Sequence, residues 1–159
     1  MAGACARRGD GIRVTLLRRL DHVAVLVRDT EDALRYFEGE LGLPVHSSEE
    51  LESPPVRLTY LDAGNAFVQL VEPLDPASAL ALWLDEHGEG LHHICFGVDD
   101  VPRAAAALGD GASPTLGSGR GRTSAFVTTD ESHGVRIEFT EFVRDEDVDR
   151  IVGWLPPGA

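Results

Sequence analysis

The sequence predicts an α+β fold: two tandem βαβββ modules whose strands join into one curled mixed sheet around a central cleft. Three observations carry that expectation. The run LDHVAVLV at 20–27 alternates like a half-buried strand and is followed by a capped, helix-spaced segment and then by short strand-like runs. The same order of elements starts again at Leu91. Two pairs of segments also align without a gap: DHVAVLVRD over HHICFGVDD at an offset of 71 residues, and FVQLVE over RIEFTE at an offset of 69. One such match has little weight. Two in the same order point to an internal duplication, and two copies are too few for a solenoid.

Residues 1–19 read as a flexible tail and lead-in, with RVTLLRR at 13–19 running toward the first strand. The first module then spans 20–73. After its opening strand, Asp29-Thr30-Glu31-Asp32 offers capping groups, Ala33, Leu34, Tyr36 and Phe37 follow at helical spacing, and Gly39 and Gly42 close the helix. Strands are expected at Leu43–His46, Val56–Leu61 and Ala66–Val71, with Asp62-Ala63-Gly64-Asn65 as the turn between the last two. A linker, 74–90, carries a helix begun near Pro76 and stopped by Gly88. The second module, 91–142, opens on the strand LHHICFGV. A helix begins at Asp99-Asp100-Val101-Pro102, where the missing proline N–H costs nothing. Strands follow at Ser124–Thr128 and Val135–Phe139. The acidic tail, 143–159, has room for one short helix, from which Trp154 can cover an apolar edge.

Composition narrows the function classes. The chain has 159 residues, 43% of them hydrophobic, enough for a packed core. Its formal net charge of -13 and the lack of a basic stripe argue against nucleic acid and anionic membrane as partners. Cys5 and Cys95 suggest no disulfide scaffold, and Cys95, inside an apolar run, reads as a small buried hydrophobe. The opening MAGACARRGDG has no apolar core of a signal peptide, and no stretch approaches membrane-spanning length, so the cytoplasm is the expected location.

Four polar residues interrupt otherwise apolar strands: His22, Gln69, His93 and Glu138. The duplication pairs His22 with His93 and Gln69 with Glu138, the pattern of a site shared across a pseudo-two-fold axis. Taken singly, each side chain is better explained as structural; together they fit a divalent ion (Zn, Co, Ni, Mn or Fe), with two further octahedral positions for water or substrate oxygens. One anionic ligand leaves the ion a net positive charge, which suits a Lewis acid facing an enolate. Strict alternation puts His92 and His93 on opposite faces, so only His93, the partner of His22, is expected in the cleft. His92 is left for a supporting hydrogen bond.

With those residues in place, the chain resembles the vicinal-oxygen-chelate (glyoxalase/bleomycin-resistance/extradiol dioxygenase) superfamily, and most closely its methylmalonyl-CoA epimerases. The resemblance runs over about residues 20–142 and rests on DHVAVLV, QLVEPL, WLDEHGEG, GLHHICFGVDD and GVRIEFTE. It implies a homodimer, and a metal held by His22, Gln69, His93 and Glu138. It further implies inversion at C2 of a malonyl-type acyl-CoA thioester through an enolate, with Glu138 as ligand and proton-transfer group. The chain departs from the family where a proposed second base is replaced by Leu58, where Thr128 and Thr129 replace a His-Pro pair, and where Ser53-Pro54-Pro55 replaces an acidic-Gln-Gly stretch. Glu49, Glu50, Glu52 or a water are left as sources of the second proton. Another chelate enzyme, glyoxalase-like or dioxygenase-like, and a non-catalytic small-molecule-binding protein are the alternative readings. An anionic thioester would need a local patch, for which Arg57, Arg120 and Arg122 are candidates. The simpler reading of GSGRGR at 117–122 is a mobile surface loop.

Overall fold

The structure, a computed structural model, describes residues 16–108, 119–127 and 130–144. The expectations for the N-terminal tail, Cys5, Ser118, Thr128, Thr129 and the C-terminal helix with Trp154 fall outside them. Among the described residues, seven strands form one sheet: β1 (Leu17–Leu26), β2 (Val45–Glu52), β3 (Pro55–Asp62), β4 (Phe67–Pro73), β5 (Gly90–Val98), β6 (Ser124–Val127) and β7 (Ile137–Glu141). The order is β2-β3-β4-β1-β5-β7-β6. A third strand of the second half after its helix is not seen among the described residues, and 109–118 lie outside them.

The sheet is internally symmetric. β1 and β5 run antiparallel at its centre, each with a parallel partner on its outer side, β4 and β7. The pair Val23–Ile94 lies on the pseudo-axis. Around it, His22 pairs with Cys95 and Ala24 with His93, so each pair is the other one shifted by the duplication offset. Ala24 pairs outward with Gln69, and Cys95 with Glu138. Because paired residues face the same way, this register alone gathers His22, Gln69, His93 and Glu138 on one face.

Three helices cover the sheet. α1 (Thr30–Leu34) is capped by the Asp29 carboxylate, which accepts from the Asp32 N–H at 2.8 Å. It does not stop at Gly39: the chain widens into a π-turn over Arg35–Glu40 and ends at Gly42, whose φ of 74° a side chain would resist. α2 (Ala79–His87) starts three residues past Pro76, because Ser78 supplies the cap. α3 (Val101–Leu108) starts beside Asp100, which accepts from the Arg103 N–H. Val25, Leu61 and Leu70 pack under α1, and Val98, Ala125 and Phe139 under α3, both on the outer face. Leu26, Val71 and Leu84 build an apolar wall on the cleft side with Trp83 of α2. Full burial of a Val, Leu or Phe side chain in these clusters contributes about 1.5–3 kcal/mol.

Strand bounds depart from the alternation most at β2. It runs to Glu52, not His46, and takes in Glu49, Glu50 and Glu52 as a charged edge strand. β1 begins at Leu17, within the expected lead-in, and β7 begins at Ile137, two residues later than expected.

Candidate metal centre and cleft

His22, Gln69, His93 and Glu138 all line one cleft of about 510 Å³ on the inner face of the sheet. At its floor, His22 Nε2 lies 3.3 Å from His93 Nε2 and 3.4 Å from Glu138 Oε2, and His93 Nε2 lies 3.1 Å from the same oxygen. Neighbouring ligands on an ion with bonds of roughly 2.1 Å stand about 3 Å apart, so this triangle already has the size an ion needs. Gln69 is buried beside them. Its amide nitrogen donates to the Tyr60 hydroxyl at 2.8 Å, leaving the amide oxygen as its remaining donor atom toward a cation.

The second ring nitrogens are held as well. His22 Nδ1 is 2.7 Å from Asp21 Oδ1, and His93 Nδ1 is 2.8 Å from His92 Nδ1. Asp21 and His92 are themselves equivalent positions of the two halves, and each is the extra residue of a β-bulge in the β1–β5 ladder. The bulge is why His92 does not face away, while the supporting hydrogen bond expected of it is present. It breaks the period of two, so His92 and His93 both reach the cleft, and His92 orients its neighbour instead of facing away. Partners of this kind fix the tautomer and direction of a ligand ring.

Charge favours a cation. Burial opposes ionisation of Glu138, but hydrogen bonds with His22 and His93 outweigh it and hold its carboxyl far below the usual carboxylate range. Burial, followed by the influence of His93 and Arg136, pushes His92 down to about 4. Burial also lowers His93, which keeps its lone pair available at neutral pH. His22 goes the other way. Burial works against its charge, but hydrogen bonds with Asp21 and Glu138 raise it above the ordinary imidazole value.

The segment 119–122 is not a surface loop. Arg122 is buried, 3.7 Å from Asp21 Oδ2, and donates to the Glu141 carbonyl at 3.1 Å. Arg120 forms an ion pair with Asp21 and lies over the Tyr60 ring at 4.8 Å. Its φ of 61° is left-handed, and its N–H donates to Glu49 Oε1 at 2.5 Å. Arg57 pairs instead with Glu50 and Glu72. The three arginines therefore form no common patch, and each faces an acidic partner. Gly119 sits so close to the cleft wall that an added Cβ would overlap the Tyr60 hydroxyl and stand 3.0 Å from Leu58 Cδ1. Asp21 and Tyr60 are site residues that alternation alone does not single out. The one available signal was that Asp21 aligns with His92, polar in both copies.

A duplicated sheet that folds two histidines, a carboxylate and an amide into one cleft has the architecture of the vicinal-oxygen-chelate proteins. The chain belongs to the glyoxalase/bleomycin resistance protein/dioxygenase superfamily, whose family model matches residues 21–128. It is 33% identical over 131 residues to the uncharacterized protein YqjC of Bacillus subtilis (strain 168), covering 79% of this chain and 93% of that one. It is 31% identical over 133 residues to the ethylmalonyl-CoA/methylmalonyl-CoA epimerase of Cereibacter sphaeroides, covering 79% and 99%. Among solved structures, a variant of the Streptomyces coelicolor methylmalonyl-CoA epimerase in complex with 2-nitronate-propionyl-CoA superposes with a TM-score of 0.69 at 31% identity, covering 79% and 97%.

Proposed function

We propose that this chain is an isomerase that inverts C2 of a malonyl-type acyl-CoA thioester, with His22, Gln69, His93 and Glu138 holding a divalent ion. The observation that carries the reading is the triangle of His22 Nε2, His93 Nε2 and Glu138 Oε2 at the cleft floor, with both rings turned toward it by Asp21 and His92. The epimerase relatives support the choice of substrate class. When bound, the ion supplies Lewis acidity toward the thioester and carboxylate oxygens of the substrate. Zn, Co, Ni, Mn and Fe all accept this donor set.

The chain's own residues do the remaining work. Asp21 and His92 fix the imidazoles, and Tyr60 fixes the Gln69 amide, so little reorganisation is needed when charge develops on the substrate. Leu51, Leu58, Val71 and Trp83 give the cleft apolar walls that exclude water from C2. Glu138 stays ionised and takes the α-proton. An ordinary glutamate is a weak base for such a carbon, and the acidity needed there must come from stabilising charge on the substrate oxygens.

The direct test incubates the protein with each C2 epimer of methylmalonyl-CoA in deuterated water, with added divalent ion or with chelator, and follows chirality and deuterium at C2. Ion-dependent exchange with epimerisation is the expected result. No exchange from either epimer by the ion-loaded protein refutes the substrate assignment.

A further inference from the structure

Inversion at carbon requires a proton to leave one face and another to arrive on the opposite face, and one carboxylate fixed on one side serves one face only. Glu138 stands on β7, in one arm of the curled sheet. The opposite arm is β2-β3-β4, where the cleft-facing residue Leu58 has no proton to give. Its cross-strand partner does. Glu49 pairs with Leu58 in the β2–β3 ladder, and paired residues share a face. The burial alternation of β2 agrees: Ser47, Glu49 and Leu51 are half-buried, whereas Ser48, Glu50 and Glu52 are exposed.

We infer that Glu49 is the second proton-transfer residue, working on the face of C2 opposite to Glu138. This rests on the isomerase reading above. The Glu49 carboxylate accepts from the N–H of Arg120, which with its neighbour Gly119 lines the cleft, Gly119 lying against Leu58 and Tyr60. The other glutamates of β2, Glu50 and Glu52, lie on its exposed parity, opposite to Glu49. Glu50 and Glu72 hold Arg57, and Asp21 is locked between His22 and Arg120. Glu49 itself is half-buried.

Protons and electrons balance. In one direction Glu138 takes the α-proton, and the C–H electron pair moves into the thioester carbonyl to give the enolate. Protonated Glu49 then delivers its proton to the other face of C2 as those electrons return to carbon. Glu138 ends protonated and Glu49 ionised, and exchange with water restores both. In the reverse direction the roles swap.

The test uses Glu49→Gln, which keeps an oxygen for the Arg120 N–H, in the two-epimer exchange experiment, alongside Glu50→Gln. Ion content and circular dichroism report that both variants are loaded and folded. Epimerisation by Glu49→Gln should fall at least about hundredfold, the low end for losing a general acid or base. The loss should be one-sided: the epimer whose α-hydrogen faces Glu138 keeps exchanging with retention of configuration, and the other stops. Glu50→Gln should match the unmodified protein. Equal slowing of both epimers, or slowing of neither, in a setting where the unmodified protein is active overturns the role of Glu49 and leaves the isomerase reading standing. An unmodified protein that exchanges neither epimer overturns both.

Discussion

Replacing Glu138 with alanine should lower affinity for a divalent ion by more than about hundredfold and abolish exchange at C2. The reason lies in the cleft floor. Without this carboxylate the two imidazoles, 3.3 Å apart at Nε2, have no anion to offset the charge of an ion. Loss of a supporting partner around a metal already costs about 10–100-fold in affinity, and a direct ligand should cost more. Glu138→Gln separates the two proposed duties of the residue. An amide oxygen can still coordinate but cannot accept a proton, so this variant should retain much of its ion and still show no exchange. Metal analysis of gently purified protein, with titration calorimetry of chelated samples, reads the first effect, and the deuterium assay reads the second. Equal ion content in Glu138→Ala and the unmodified protein would remove Glu138 from the ligand set.

The largest effect on stability is expected at Asp21. Its side chain is fully buried and meets His22, Arg120 and Arg122 at once. Asp21→Ala leaves Arg120 and Arg122 enclosed without that counter-charge, a change of the kind that costs about 3–5 kcal/mol. This is a large share of the roughly 5–15 kcal/mol by which a domain is stable. The dependence on pH has a definite sign. Burial pushes the Asp21 carboxyl up, but the hydrogen bond with His22 and the charge of Arg120 overcome that and hold it at about 2, against an ordinary value of 3.8. A depressed carboxyl contributes its stabilisation above the ordinary value and loses it as pH falls toward the folded one. Urea unfolding of chelated protein should therefore show a full gap between Asp21→Asn and the unmodified chain at pH 6, and a gap that closes between pH 3.8 and 2. A loss below about 1 kcal/mol at pH 6 would show that the cluster matters little to folding. Adding Arg120→Met to Asp21→Asn should recover part of the loss, since removing both charges is gentler than removing one.

The sequence carried the repeated halves and the four polar interruptions because both are patterns within single strands. His22 and His93 stand out against Val, Ala and Ile, and the offset between them is the one the register of β1 and β5 obeys. What stayed hidden depends on pairing between strands. A β-bulge leaves no mark in a single strand's composition, so His92 read as facing away. The sequence offers Glu49, Glu50 and Glu52 alike, because the residues of SSEELE are poor strand formers in isolation and take their facing only by lying against β3. Tyr60 passed for one more apolar strand residue until its hydroxyl was seen against Gln69. Arg120 and Arg122, between glycines, looked like solvent-facing cations because nothing local points to Asp21, about a hundred positions earlier in the chain.

The close approach of Gly119 to Tyr60 has an evolutionary corollary. The two positions occupy one shared volume, so in this lineage they should not vary independently: a side chain at 119 becomes admissible once residue 60 is shorter. Gly119→Ala should accordingly be harmful by itself, and milder beside Tyr60→Phe, which removes the atom in its way. Phenylalanine, however, leaves the Gln69 amide without its hydroxyl partner. Descendants that enlarge residue 119 therefore give up the hydrogen bond that holds Gln69, and relatives with different pairs at these two sites should differ in how firmly they keep an ion.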